Sequence, residues 1–225
     1  MASHDLTRLP LAGLTETAWL SPITADDVEA VFRICQDPDI QRWTTLPSPY
    51  RHSDAVGFAA DLQPQAWADL AAGHWSGAIS SVGLSWGIRR SGPGTGTGLC
   101  GVIGLKWIRE EVWEIGWWLD PAARGRGLMT AAARAVLEAA FDPAGPLRAS
   151  QVLWRAGVGN QASRAVAQRS GFHYLGLEPD RSADQVPLWR AALTAGQPIR
   201  PVVPWPIPQP STRTSAQAEA DPARQ

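Results

Sequence analysis

Cysteine, tyrosine and charge are all scarce in this chain. Cys35 and Cys100 are the only cysteines among 225 residues. Two thiols make no disulfide framework, and they suit a reducing cytosol. Either can serve as a small buried apolar side chain. Charged residues make up 18%, below the roughly 25% usual in globular chains. The net charge of −1 creates no global field for nucleic acid or an anionic membrane, so neither is expected as a partner. No run of about 18 uncharged apolar residues occurs, so no membrane span is expected. The N-terminus shows no basic patch ahead of an apolar run, so no signal peptide is expected and the setting reads as cytoplasmic.

Several familiar motifs are missing as well. G-x-x-x-x-G-K-[ST] does not occur, which excludes a P-loop NTPase. His4, His52, His74 and His173 are scattered and match no metal spacing, so no metal is expected. No Ser/His/Asp or Cys/His arrangement is legible. Gly96, Gly98 and Gly101 do match G-x-G-x-x-G. They precede a strand, whereas the dinucleotide fingerprint follows one and opens a helix. They read as a hairpin linker.

Tryptophan, by contrast, is plentiful: 12, against two Tyr and four Phe. With 44% apolar residues, the Trp side chains can build a large core. Being amphipathic, they can also line a cleft. Trp43, Trp67, Trp75 and Trp107 are open to both readings.

Along the chain, residues 1–15 lack periodicity and read as a flexible N-terminal extension. "ETAWLSPI" reads as a strand. "TADDVEAVFRICQDPDI" reads as a helix with Thr24 as N-cap, Asp26 and Asp27 in its first turn, and Pro38 closing it. A second helical region runs from about Ser53 to Ala72, with a break expected at Pro64. "VGLSWGIRR", "LCGVIGLKWI" and "VWEIGWWLD" read as successive strands, joined by "SGPGTGTG" and "REE". A helix, the strand "LRASQVLWRAG", the helix "NQASRAVAQRSG" and the strands "FHYLGLE" and "VPLWRAA" follow. Residues 197–225 are Pro-rich and then polar, and read as a disordered tail outside the core. The layout is mixed α/β and not a regular βαβ series.

The stretch "DPAARGRGLMTAAARAV", residues 120–136, carries the most chemistry. A strand ends at Leu119-Asp120, Pro121 turns the chain, and a helix starts near Gly127. The first N–H groups of a helix lack internal partners, and its dipole adds positive charge there. Glycines let several N–H groups converge on one anion. Arg124 and Arg126 add charges suited to phosphate. The stretch therefore reads as a pyrophosphate site; the alternative is an ordinary turn with solvated arginines.

Two stretches, "EIGWWLDPAARGRGLMTAAARAV" and "VGNQASRAVAQRSGF", resemble the GNAT superfamily of N-acetyltransferases, and within it the RimJ/RimL-like branch. The resemblance spans residues 16–193 and is strongest over 100–176. It implies a GNAT domain over 16–196: a mixed, twisted sheet of about six or seven strands, helices on both faces, and strands four and five splayed. It implies acetyl-CoA as cosubstrate and no metal. Trp117, Trp118 and Leu119 would pair with the pantetheine arm. Arg124, Gly125, Arg126, Gly127, Leu128, Met129 and Thr130 would cradle the pyrophosphate. Asn160 would hydrogen-bond the pantetheine, with Ser163 and Arg164 nearby. Met129 stands where RimJ/RimL-like chains commonly carry Met.

The same resemblance implies direct acetyl transfer to a primary amine, foremost a protein or peptide N-terminus. A small-molecule amine (antibiotic, polyamine or biosynthetic intermediate) is the alternative, followed by a non-catalytic acyl-CoA-binding module. A homodimer is left open. Many family members place a Tyr where this chain has Ala167. A thiolate leaving group needs a proton donor, and Ser163 is the candidate; the alternative is an ordinary serine in the first turn of its helix. Glu114, the acid within the strand before the loop, is the candidate general base; the alternative is an exposed Glu or one paired with Lys106. Leu175 replaces a Glu often present in the branch, and Glu178, Asp180 and Asp184 are the nearest acids after it. Arg155, Arg164 and Arg169 read as a solvated rim.

Overall fold

The structure is a computed structural model that describes residues 5–74, 78–91, 98–179 and 186–205. His4, Trp75, Gly96, Asp180, Asp184 and the tail beyond Trp205 lie outside the described residues.

Eight strands form one sheet. They are β1 Leu9–Pro10, β2 Ala18–Pro22, β3 Leu84–Arg90, β4 Leu99–Arg109, β5 Val112–Leu119, β6 Gln151–Gly157, β7 His173–Glu178 and β8 Leu188–Thr194. Their order is β1-β2-β3-β4-β5-β6-β8-β7. β5 and β6 pair in parallel, and every other neighbouring pair is antiparallel. The sheet is thus mixed, as expected. The strand beyond the expected six or seven is β1. It lies in the stretch read as a flexible extension, where Leu6, Leu9 and Leu11 are buried. Their burial ties this segment down despite its lack of periodicity.

The helices are α1 Val28–Ile34, α2 Pro38–Trp43, α3 His52–Val56, α4 Gln63–Ala71, α5 Ala78–Val82, α6 Leu128–Ala140 and α7 Gln161–Arg169. Side chains alternate across a strand, so adjacent Val102 and Ile103 on β4 join different apolar clusters. Val102 packs with Val31, Cys35 and Ala55, and Ile103 with Ala132, Val136 and Trp86. Each face of the sheet is thereby covered.

Three local expectations shift. Thr24 does open a helical turn, its N–H donating to Asp27 Oδ2 at 2.9 Å. Pro38 does not close that helix. It occupies the first turn of α2, where its missing N–H costs nothing, and Asp37 caps the helix by accepting the Ile40 N–H at 3.0 Å. The break expected at Pro64 comes just before it, as a π-helical turn over Gly57–Leu62. Such a turn widens the helix and relieves the clash of a proline ring with the preceding carbonyls.

Asp27 is fully buried and bound by both arms of Arg89, Nη1–Oδ1 at 2.7 Å and Nη2–Oδ2 at 2.8 Å. Arg89 also donates to Ser21 Oγ and the Pro22 carbonyl. One β3 cation therefore anchors the start of α1 to β2 and β3.

The tryptophans divide. Trp86, Trp113 and Trp154 are buried completely or nearly so, and Trp189 and Trp205 almost so. Trp205 belongs to the segment read as outside the core. It stacks on Tyr174 at 5.6 Å, meets Trp154 at 5.4 Å, and donates its indole N–H to the Phe172 carbonyl at 2.9 Å. With the Val202 N–H donating to the Gln168 carbonyl at 3.1 Å, residues 198–205 form a strap over the end of α7.

Candidate active site

β5 and β6 pair only from Val112↔Gln151 to Ile115↔Trp154. β5 continues beside β4 as far as Leu119↔Gly101, but β6 leaves it. These are the two strands expected to splay. Backbone groups of residues 116–119 on the β6 side have no strand partner, which leaves them open to solvent or to a ligand with amide groups. Trp43 lies at the far end of β6. A Cβ at Gly157 or at Gly159 would come within 3.2 Å of its ring. Glycine at both positions gives this indole room beside the diverging strand.

A cleft of about 1230 Å³ fills the opening. Trp117, Trp118 and Leu119 line it from β5, and Asn160 and Ser163 from α7. Trp43 lines it too, but Trp67 and Trp107 pack against the core.

The loop that closes the cleft is built by short-range bonds. Asp120 Oδ1 accepts the Ala122 N–H at 3.0 Å, and Oδ2 accepts from Arg33 at 3.0 Å. Gly125 and Gly127 have φ of +78° and +79°, a region costly for side-chain-bearing residues. Leu128, rather than Gly127, is the first helical residue, and Gly127 is its N-cap. Leu128, Met129, Ala132 and Ala133 are buried and seat α6 on the sheet. Arg124 through Thr130 all line the cleft, so the helix terminus expected to receive an anion opens into it.

The two loop arginines differ. Arg126 is exposed and has no ion pair among the described residues. Arg124 is engaged elsewhere: it donates to Asp37 Oδ1 at 3.0 Å and to the Leu119 carbonyl at 3.2 Å, and lies 3.7 Å from Asp39. It fastens the loop to α2 while still lining the cleft beside the start of α6.

On α7, Asn160 Oδ1 accepts the Ser163 N–H at 3.1 Å. That cap leaves the amide NH2 as the side chain's donor. Ser163 Oγ accepts from Trp154 Nε1 at 3.2 Å. Arg164 is not brought into the cleft lining. Its guanidinium lies over Trp189, 5.3 Å from the ring centroid, because successive helical residues turn by about 100° and this one faces away.

Glu114 lines the cleft from β5. Lys106 is its cross-strand neighbour, yet the ion pair is with Arg155 on β6, at 2.5 Å. Arg155 also reaches Glu178 at 3.4 Å, and Glu178 meets Arg190 at 3.1 Å. Burial works to lower the Arg155 pKa, but the hydrogen bond and charge of Glu114, with the charge of Glu178, outweigh it and raise it. The expected solvated rim is therefore a charged network at Arg155 and a stacked cation at Arg164.

Arg134 escaped the sequence reading, and Arg169, expected on a solvated rim, belongs to the cleft wall. Both line the cleft, and Arg134 donates to the Arg169 carbonyl at 3.1 Å. Arg134 stands four residues beyond Thr130 and shares its helix face. That spacing was the available signal.

No helix among the described residues is long and apolar enough to cross a membrane. The described residues contain no cluster of His, Cys, Asp or Glu able to hold a metal.

Known proteins share part of this sequence and its fold. YdaF of Bacillus subtilis (strain 168), named as a candidate ribosomal N-acetyltransferase, is 40% identical over 88 residues, 38% of this chain and 44% of its own length. The chain thus matches less than half of that relative. Mycobacterium smegmatis RimJ, solved with a CoA disulfide, superposes with a TM-score of 0.64 at 21% identity, covering 87% of this chain and 90% of its own. The Salmonella typhimurium acetyltransferase that modifies the N-terminal serine of ribosomal protein L7/L12 superposes with a TM-score of 0.64 at 16% identity, covering 83% and 98%. At these identities the superpositions speak to a common fold. Residues 18–173 match the acetyltransferase (GNAT) domain, most of the chain, and the protein belongs to that family.

Proposed function

We propose that the protein is an N-acetyltransferase that uses acetyl-CoA and acetylates a primary amine directly, with a protein or peptide N-terminus as acceptor. The observation that carries this is the parting of β5 and β6 after Ile115 and Trp154 over a cleft that ends at the start of α6. A long, thin ligand with an anionic end fits it. Unpaired backbone at 116–119 suits an amide-bearing arm, and the N–H groups at Gly127–Thr130 suit a pyrophosphate. No Cβ blocks the loop: one at Gly125 would meet nothing within 4 Å.

Acetyl-CoA supplies an acetyl group activated as a thioester. Trp117, Trp118 and Leu119 would hold the arm, Gly125 to Thr130 with Arg126 the diphosphate, and Asn160 an amide oxygen. Arg124 would act by holding the loop. Ser163 is the proton donor toward the departing sulfur. Glu114 Oε1 has no partner among the described residues and is the proton acceptor for the attacking ammonium, directly or through water. The acceptor assignment draws on the YdaF likeness and on RimL-like folds whose named substrate is an N-terminus.

Calorimetric titration with acetyl-CoA tests the cofactor. Mass spectrometry after incubation with acetyl-CoA and pooled peptides and amines tests the acceptor. Glu114→Gln should reduce turnover about 100-fold, the scale of general-base loss, with cofactor affinity retained. No binding at millimolar acetyl-CoA sinks the proposal.

A further inference from the structure

At Ser163, one link of the proposed proton path, chemistry fixes the direction of the hydrogen bond. Indole Nε1 can only donate, so in the 3.2 Å contact with Trp154 the serine oxygen is the acceptor. A helical serine often turns its hydroxyl hydrogen onto the carbonyl four residues back. No such bond is made here, and no acceptor for the Ser163 hydroxyl exists among the described residues. The remaining O–H is free to donate, and Ser163 lines the cleft.

The donor of that bond is rigid. Trp154 is 1% exposed, sits mid-strand in β6, and has Trp205 against its ring at 5.4 Å. Trp205 is fixed in turn by its bond to the Phe172 carbonyl and its stacking on Tyr174. An indole so enclosed cannot swing away from the serine.

We propose that Trp154 is a positioning residue. Its indole N–H occupies the Ser163 oxygen and thereby presents the Ser163 hydroxyl as a donor to the cleft. The C-terminal strap, through Trp205, holds that indole in place. This inference rests on Ser163 being the proton donor. The proton balance is simple: Ser163 Oγ–H gives its proton to the departing thiolate, and the oxygen, held by the indole N–H, regains one from water.

A kinetic double-mutant cycle tests it, with acetyl-CoA and short peptides bearing free N-termini. Ser163→Ala should lower kcat about 100-fold, and Trp154→Phe about 10-fold, with both KM values unchanged. Trp154→Phe should add no further loss in the Ser163→Ala background, since its effect runs through the hydroxyl. Multiplying losses, or an unaltered kcat in Trp154→Phe, overturn the positioning role while leaving Ser163 as donor. An unaltered kcat in Ser163→Ala overturns the donor reading and this inference with it. Should Trp154→Phe fail to fold, the Trp154 indole proton carries the test by NMR. Ser163→Ala should speed its exchange with solvent about 10-fold, the scale of one lost hydrogen bond, and an unaltered rate overturns the contact.

Discussion

Arg124 Nη2 lies 3.0 Å from Asp37 Oδ1, and the same oxygen accepts the Ile40 N–H at 3.0 Å. One carboxylate therefore caps α2 and tethers the glycine loop. Both groups are partly exposed, so the pair alone contributes about 0–1 kcal/mol to stability. Its larger effect is on loop order. Asp37→Ala and Arg124→Ala should each weaken acetyl-CoA binding a few-fold by calorimetry, and the double variant should be no weaker than either. A phosphate-binding Arg124 gives another result: Arg124→Ala weakens binding and Asp37→Ala does not.

Gly127 offers a second test. Its φ of +79° disfavours any side chain, although a Cβ would meet only Leu14 at 3.6 Å. Gly127→Ala should cost about 1–2 kcal/mol in chemical denaturation, the strain of a left-handed residue, and leave acetyl-CoA binding measurable. Gly127→Glu should abolish binding, because a carboxylate then faces the incoming diphosphate. Normal binding by Gly127→Glu removes the loop from the cofactor site.

Asp27 and Arg89 form a buried, doubly hydrogen-bonded pair. Removing one partner of such a pair leaves an uncompensated charge and costs about 3–5 kcal/mol. Arg89→Met should lower stability on that scale in urea denaturation. A loss below about 1 kcal/mol, the range of exposed pairs, argues that water reaches the Asp27 carboxylate.

The thiols give a pH prediction. Burial pushes the Cys35 pKa from 9.0 up to about 12, and the Cys100 pKa from 9.0 up to about 11. An unfolded thiol ionises near 9 while the folded one stays neutral, so unfolding releases protons above that pH. Stability should be unaffected by these groups below pH 9 and should fall as pH rises from 9 through 11 and 12. Urea midpoints across that range check it. At pH 8 neither thiol should react with Ellman's reagent until the protein is denatured; prompt reaction in the native state contradicts the burial.

Much of this was legible in the sequence. Asn160 as N-cap, the glycine loop before the Ala-rich helix, and the strand ending at Leu119 depend on local chemistry, and all stand where expected. The misreadings have two causes. Pro38 starts a helix because its neighbour Asp37 caps it, a local signal that competes with the helix-ending reading of proline. Residues 5–15 and Trp205 lack a local signal, and their state depends on what they pack against. Leu9 joins a strand because the β2 edge was open to it. Trp205 lies in a proline-rich run with no periodic signal, and its contacts with Trp154, Tyr174 and the Phe172 carbonyl hold it.

The division at the site follows the same line. Backbone conformation and helix polarity depend on neighbouring residues, so the order Leu119, Gly125, Gly127, α6 by itself determined a glycine turn that joins a strand to a helix N-terminus. Side-chain partnerships form between segments far apart in the chain and leave no periodic trace. Only the tertiary structure decided that Arg124 serves Asp37, that Glu114 is held by Arg155 and not Lys106, that Arg164 turns to Trp189, and that Ser163 receives its hydrogen bond from Trp154.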